Sequence, residues 1–251
     1  MRFKLYIEYN GANYYGWLKQ GNAKSIQGTI QKAAEEAFRK SKGQNEFIDL
    51  QGSGRTDAGV HAIEQVAHLE CDTMLAPEIL KMKINDELPS DINILEIEKA
   101  RKDFHARHSA NSRQYLYVIS KRRTAFEKRY VWWIKDKLDV KAMKEAGKYI
   151  EGMHDFKLFS EKDNEEKSTK CLIEKFEITE NQDKIFIRIK ASHFLWKMVR
   201  RIVGILVEAG RGNISSDDVK NLIDCKRDSV KIEPAKFTAP PSGLFLEKVN
   251  Y

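Results

Sequence analysis

The sequence predicts a mixed α/β fold of the α+β type, built as two ferredoxin-like halves with antiparallel sheets. Three observations lead there. Short segments alternate apolar and polar residues with the period of two expected of a half-buried strand. Between them lie segments whose apolar residues recur at helical spacing. In the first half these follow one another as βαββαβ, the ferredoxin-like order. Residues 1–104 are read as the first half and residues 105–251 as the second.

Taken in order, Phe3, Leu5, Ile7 and Tyr9 alternate as a strand. Ser25 is placed to cap a helix whose apolar stripe is Ile26, Ile30, Ala33, Ala34, Ala37 and Phe38. Strands are expected at 47–51 and 65–70, and Pro77 suits the first turn of a second helix carrying Ile79, Leu80 and Ile84. A strand at 92–97 closes this half. In the second half, residues 112–120 alternate so that Arg113, Tyr115, Tyr117 and Ile119 share one face. A strand is expected at 130–134, and Asp139 caps a helix with Met143, Ala146 and Ile150 turned inward. The charged stretch 160–170 reads as a mobile loop. Strands at 172–178 and 185–190 precede a helix over 192–208. A short helix at 215–223 has Ser215 as cap with Asp218 three positions on, and a strand at 244–249 ends the chain.

Composition narrows the function classes. Hydrophobic residues make up 41% and charged residues 32% of the 251, enough for a core in a soluble protein. No apolar run is long enough to span a bilayer, and the N-terminus carries no signal-peptide core. Three widely spaced cysteines argue against a disulfide framework, and six histidines form no metal-ligand spacing, so a reducing cytoplasm and no metal are expected. The net charge of +7 and a pI near 9.1 favour a polyanionic partner. Basic residues cluster with aromatics at 99–107, 121–129 and 197–201. Phosphate contacts combined with stacking rings are the usual means of holding RNA.

The chemistry concentrates in Gly52-Ser53-Gly54-Arg55-Thr56-Asp57-Ala58-Gly59-Val60-His61-Ala62. Three glycines in eight positions give a pliant backbone carrying one carboxylate, Asp57, and one guanidinium, Arg55. By spacing alone, a surface hairpin closed by an Arg–Asp bridge fits equally well. The full string resembles the catalytic signature of the TruA family of tRNA pseudouridine synthases, unbroken from Gly52 to Ala62. The resemblance implies that Asp57 is the nucleophile and that Arg55 helps hold the target nucleotide out of its helix.

A helical wheel singles out Arg200, since its neighbours at helical spacing, Trp196, Val203, Gly204 and Val207, are all non-polar. A buried guanidinium needs an anion, and a structural carboxylate, the catalytic aspartate or a phosphate would each serve, whereas Arg201, beside Lys197, Ile205 and Glu208, reads as half-solvated. Gly204 would let another backbone approach closely. The segment from Phe194 to Gly204 is similar to the family's second motif, whose arginine pairs with the catalytic aspartate; that arginine is Arg200 here. The segment from Phe104 to Tyr115 is similar to the motif that places a tyrosine in the active site, here Tyr115. Tyr9-Asn10-Gly11 to Gly16-Trp17, His154-Asp155-Phe156 and Pro241-Ser242-Gly243 also fit, while Asn10 and Leu18 depart from the residues frequent in the family. Arg107, Arg113, Lys197 and Arg201 are the candidate RNA contacts.

The resemblance further implies the pseudouridine synthase fold with a central catalytic cleft, a tRNA substrate modified at uridines 38 to 40 of the anticodon stem-loop, a homodimer, and no cofactor. Two other classes compete. A non-catalytic RNA-recognition module shares the βαββαβ order, but its aromatic-rich RNP1 string is absent. A nucleoside hydrolase needs a carboxylate pair, and the nearest glutamate after Asp57 is Glu64, seven positions on.

Overall fold

The computed structural model describes residues 1–161, 168–225 and 231–251. They form two compact units, Met1–Asn111 with Phe245–Tyr251, and Ser112–Leu244. Most of the charged stretch expected to be a mobile loop, residues 162–167, lies outside the described residues.

The first unit follows the order read from the sequence: β1 (Arg2–Tyr9), α1 (Ile26–Arg39), β2 (Glu46–Gly52), β3 (His61–Asp72), α2 (Pro77–Glu87) and β4 (Ile92–Lys99). Its antiparallel sheet runs β4-β1-β3-β2, the ferredoxin-like strand order. Phe3, Leu5, Ile7 and Tyr9 of β1 are all buried. In α1 the six stripe residues are the ones buried, and the Ser25 side chain accepts the Gly28 N–H at 3.3 Å. Pro77 opens α2, of which Leu80 and Ile84 are buried while Ile79 is exposed.

β3 starts earlier than its alternation suggests. It is central, and from Gln65 to Leu69 both faces are covered, so alternation is lost and Gln65 and His68 are enclosed. One edge of β3 holds β1 throughout. The other is shared by β2 near its end and, at His61 and Ala62, by the parallel strand β10 (Leu244–Asn250).

His68 Nδ1 accepts the Ala106 N–H at 3.2 Å, and the His105 ring lies 4.7 Å from its own. Burial, reinforced by the His105 charge, pushes the His68 imidazole down to about 4. The unfolded chain takes up that proton near pH 6.5, whereas the folded one resists until about pH 4. Stability from this site is therefore full above pH 6.5 and is lost as pH falls toward 4. His68→Asn should flatten that part of the curve when unfolding is followed against pH. An unchanged slope would contradict the assignment.

The second unit comprises β5 (Ser112–Ser120), β6 (Trp132–Trp133), α3 (Val140–Gly147), β7 (Gly152–Asp155), β8 (Lys170–Glu180), β9 (Lys184–Ala191), α4 (Met198–Gly210) and α5 (Ser216–Ile223). Its main sheet is antiparallel in the order β5-β9-β8-β7. The strand expected over 130–134 shrinks to β6, which pairs parallel to the end of β5. Asp139 caps α3 through the Ala142 N–H, and Ser215 and Asp218 form the reciprocal capping box. Met143, Ala146 and Ile150 are buried, as the stripe requires.

α4 differs from expectation at its start. Lys197 takes φ 62°, a left-handed value that breaks a helix, so α4 begins at Met198 and residues 192–197 are irregular. Within α4, Arg200 alone is not buried. The backbone of α4 packs directly on the turn Pro234–Phe237: a Cβ at Gly204 would stand 1.5 Å from the Phe237 carbonyl oxygen. The close approach expected at Gly204 is present. Among the described residues no helix is long and apolar enough to cross a membrane.

Candidate active site

The signature loop joins β2 to β3 and is held by the chain that follows β1. Trp17 N–H donates to the Thr56 carbonyl at 3.0 Å, and Gly59 N–H to that of Tyr14 at 3.2 Å. The Thr56 hydroxyl pairs with the Tyr9 hydroxyl at 2.8 Å. Burial raises the Tyr9 pKa, so this phenol stays neutral. On the other side, Ser53 Oγ donates to Gln65 Oε1 at 2.7 Å, and Gln65 Nε2 donates to the Gly54 carbonyl at 3.0 Å. The residues flanking Arg55 and Asp57 are thus pinned by buried partners.

The loop then closes in a turn, with Val60 N–H donating to the Asp57 carbonyl at 3.1 Å. Gly59 takes φ 78°, as the third residue of a type II turn must, which an L side chain would resist. His61 follows, buried, stacked on Phe245 at 4.8 Å and accepting the Gly11 N–H at 3.1 Å on Nδ1. The result is a half-buried Asp57 and an exposed Arg55 on a backbone fixed at both ends. Such fixing presents both side chains without any reorganisation of their support.

In the second unit the structure joins three of the motifs. Tyr115 on β5 is nearly buried and meets Phe194 edge-on, ring centres 5.0 Å apart. Beside Phe194, His193 contacts Cys171 Sγ at 3.3 Å and Ser192 Oγ at 3.1 Å, which holds the irregular stretch before α4. Arg113 Nη1 donates to the Ser192 carbonyl at 3.2 Å, tying the strand to the same stretch. Arg200 Nε donates to the Ala239 carbonyl at 2.7 Å, and Ala239 N–H donates back to the Arg200 carbonyl at 3.0 Å. Tyr117, whose pKa burial raises, donates to the Pro240 carbonyl at 2.8 Å. The segment before Pro241-Ser242-Gly243 therefore fixes both the Arg200 side chain and the floor under β5.

The contrast drawn between Arg200 and Arg201 is reversed. Arg201 is the buried one, 7% exposed, paired with Glu161 at 3.2 Å, and burial lowers its pKa. Its Nε lacks a hydrogen-bond partner among the described residues. Arg200 is only half-buried. The wheel misled for two reasons: Trp196 lies outside the helix, and α4 is buried on nearly every side, so no solvated face exists for Arg201.

The candidate RNA contacts also divide. Lys197 pairs with Glu161 at 2.6 Å; its hydrogen bond first, then the charges of Lys197, Arg201 and Arg200, hold that carboxyl low against the opposing effect of burial. Arg201 is withdrawn from the surface with it. Arg107 is exposed and Arg113 half-buried. Tyr9 and His61 lie in segments that the sequence marked, the Tyr9-Asn10-Gly11 motif and the signature string, but neither they nor Gln65 and His193 were given a supporting role from sequence. Among the described residues no group of three His, Cys, Asp or Glu side chains is placed to hold a metal.

The family model described as tRNA pseudouridine synthase matches residues 5–109 and 146–251, which takes in the Asp57 loop, Phe194, Arg200 and β10. The chain belongs to that family. The relatives agree over full length. A protein of Ehrlichia chaffeensis named tRNA pseudouridine synthase A is 41% identical over 254 residues, covering 100% of both chains. One of Clostridium perfringens named tRNA pseudouridine synthase A 2 is 40% identical, covering 99% of this chain and 98% of its own. One of Thermoanaerobacter sp., named tRNA pseudouridine synthase A, is 38% identical over 98% of each. The mixed α/β architecture is that of the pseudouridine synthase fold expected from the resemblance.

Proposed function

We propose that this chain isomerises uridine to pseudouridine in tRNA, at positions 38 to 40 of the anticodon stem-loop, as a homodimer. The observation that carries the reading is the unbroken signature loop, Gly52 to Ala62, clamped by Tyr9, Trp17 and Gln65 so that it presents Asp57, in a chain of this family.

In this reaction the C1′–N1 bond of uridine breaks, the base turns, and C1′ bonds to C5; C5 gives up its proton and N1 takes one up, so the composition is unchanged. No redox change and no external group is involved. Asp57 opens the glycosidic bond, and either attack at C1′ or removal of the C2′ proton meets that need. Arg200 supplies the cation that pairs with the Asp57 carboxylate, Tyr115 accepts the C5 proton, and Arg55 holds the displaced nucleotide. Taking the base out of its stack costs a few kcal/mol, which contacts to the rest of the RNA offset. Arg107 and Arg113 serve those contacts.

The role of Arg200 is testable against its anchoring. Its Nε is committed to the Ala239 carbonyl, which fixes the plane of the guanidinium. Lysine has no equivalent donor there and no planar fork toward a carboxylate. Arg200→Lys should leave tRNA affinity within about threefold while lowering the single-turnover rate on the order of 10²-fold or more. An unchanged rate at saturating enzyme would remove Arg200 from the reaction. Transcripts carrying uridine at only one of positions 38, 39 and 40 test the site assignment, and sedimentation tests the dimer.

A further inference from the structure

The loop after β5, residues 121–131, is built rather than slack. Ser120 Oγ donates to the Arg122 carbonyl at 2.6 Å, Lys121 N–H to that of Asp183 at 2.8 Å, and Tyr130 N–H to that of Glu127 at 2.8 Å. At its tip it displays Phe126, 95% exposed, with Tyr130 and Trp133 partly exposed nearby in sequence. One exposed ring alone says little, but here it stands on an ordered loop among basic side chains, the combination of aromatic and cation that holds single-stranded RNA.

The charges around it have one sign to spare. Residues 121–135 hold six basic side chains and a single acid, Glu127, which is paired with Lys184. Lys121 and Arg122 are matched by Glu180 and Asp183. Arg123 and Lys128 are exposed and have no ion-pair partner among the described residues. Lys121 also lines an open depression of about 760 Å³ that carries Lys135, Lys137 and Lys141. The acids of that depression are engaged elsewhere: Asp136 with Arg211 at 2.9 Å, Asp139 with the α3 amide, and Glu180 with Lys121. The three lysines are left for a ligand.

We propose that this surface, the Phe126 loop with the lysine-rimmed depression beside it, is a docking site for RNA in which Phe126 stacks on an unpaired base and the lysines take phosphates. The proposal rests on the tRNA reading above and locates a contact which that reading leaves unassigned. Ser120 lies five residues along β5 from Tyr115, about 17 Å at the strand rise. The surface therefore grips RNA remote from Tyr115, where binding energy can offset the cost of displacing a base. A second copy of the chain fits less well, because a two-fold contact would set these unpaired lysines against their like, and interface cores are poor in lysine.

The test uses an unmodified tRNA transcript as the probe. Phe126→Ala should weaken its binding roughly 5- to 150-fold, the range of one base–aromatic stack, and Phe126→Tyr should restore it. Replacing Lys135, Lys137 and Lys141 together by Gln should lower the slope of log affinity against log salt by about 2. Melting temperatures should stay at the wild-type value, and single-turnover rates at saturating enzyme should be unchanged. Unaltered affinity and salt slope in both variants would overturn the proposal. So would a change in sedimentation mass with affinity intact, which would assign the surface to a second copy. A wild-type protein that binds the transcript without forming pseudouridine counts against the function alone, since the binding comparison still decides the surface.

Discussion

Asp57→Asn should fold, bind tRNA as tightly as the wild type, and yield no detectable pseudouridine. The substitution keeps the size of the side chain and removes the charge to which the proposed mechanism assigns the opening of the glycosidic bond. The loop should hold its shape, because its anchors are elsewhere: Tyr9 on Thr56, Gln65 on Gly54 and Ser53, Trp17 on the Thr56 carbonyl. Loss of a nucleophile that acts with its partners lowers turnover by about 10⁴-fold or more. The informative assay is single turnover with enzyme well above the dissociation constant. A mere RNA contact would then be rescued by excess enzyme, and a mere loop staple would show as a lowered melting temperature. Appreciable product from the Asn variant under those conditions would remove Asp57 from the chemistry.

Gly204→Ala should lower the melting temperature by about 5 to 10 °C. Helix propensity alone argues the other way, since alanine in a helix interior is better than glycine by about 1 kcal/mol. The added Cβ, however, would stand 1.5 Å from the Phe237 carbonyl oxygen and 2.6 Å from its carbon. Both are backbone atoms, so α4 and the 234–237 turn must separate, at a cost of about 3 kcal/mol. The overlap wins. Separation also moves Ala239, whose carbonyl holds Arg200 Nε, so the rate per folded molecule should fall as well. A melting temperature within about 1 °C of wild type would show that the turn yields freely.

How much of this was legible in the sequence follows from where each signal is stored. The stripe of α1, the caps Ser25 and Ser215, the proline opening α2 and the alternation of β1 are local, and all appear as read. The long glycine signature gave Asp57 its place because the string itself is specific. Signals that depend on tertiary cover failed. The strand expected over 65–70 is there, but it runs from His61 to Asp72, and its extension toward the signature loop pairs with β1 and β10, partners that local alternation does not record. α4 is enclosed on nearly all sides, so a wheel that sought its solvated face chose the wrong arginine to bury. The left-handed Lys197 cut away the first turn of the expected helix, and nothing in its neighbours announces that angle. The roles of the site's supports were invisible for a related reason. His61 matters because Gly11 donates to it, and Gln65 because Ser53 and Gly54 reach it, pairings that exist only once the sheet has formed.

Isomerisation of uridine leaves the mass of RNA unchanged. A tRNA transcript treated with the wild-type protein should keep its intact mass and, on later carbodiimide labelling, show alkali-resistant carbodiimide adducts at one or more of uridines 38 to 40. Loss of uracil from the transcript, or a transcript with neither mass change nor adduct at saturating enzyme, would contradict the proposed function.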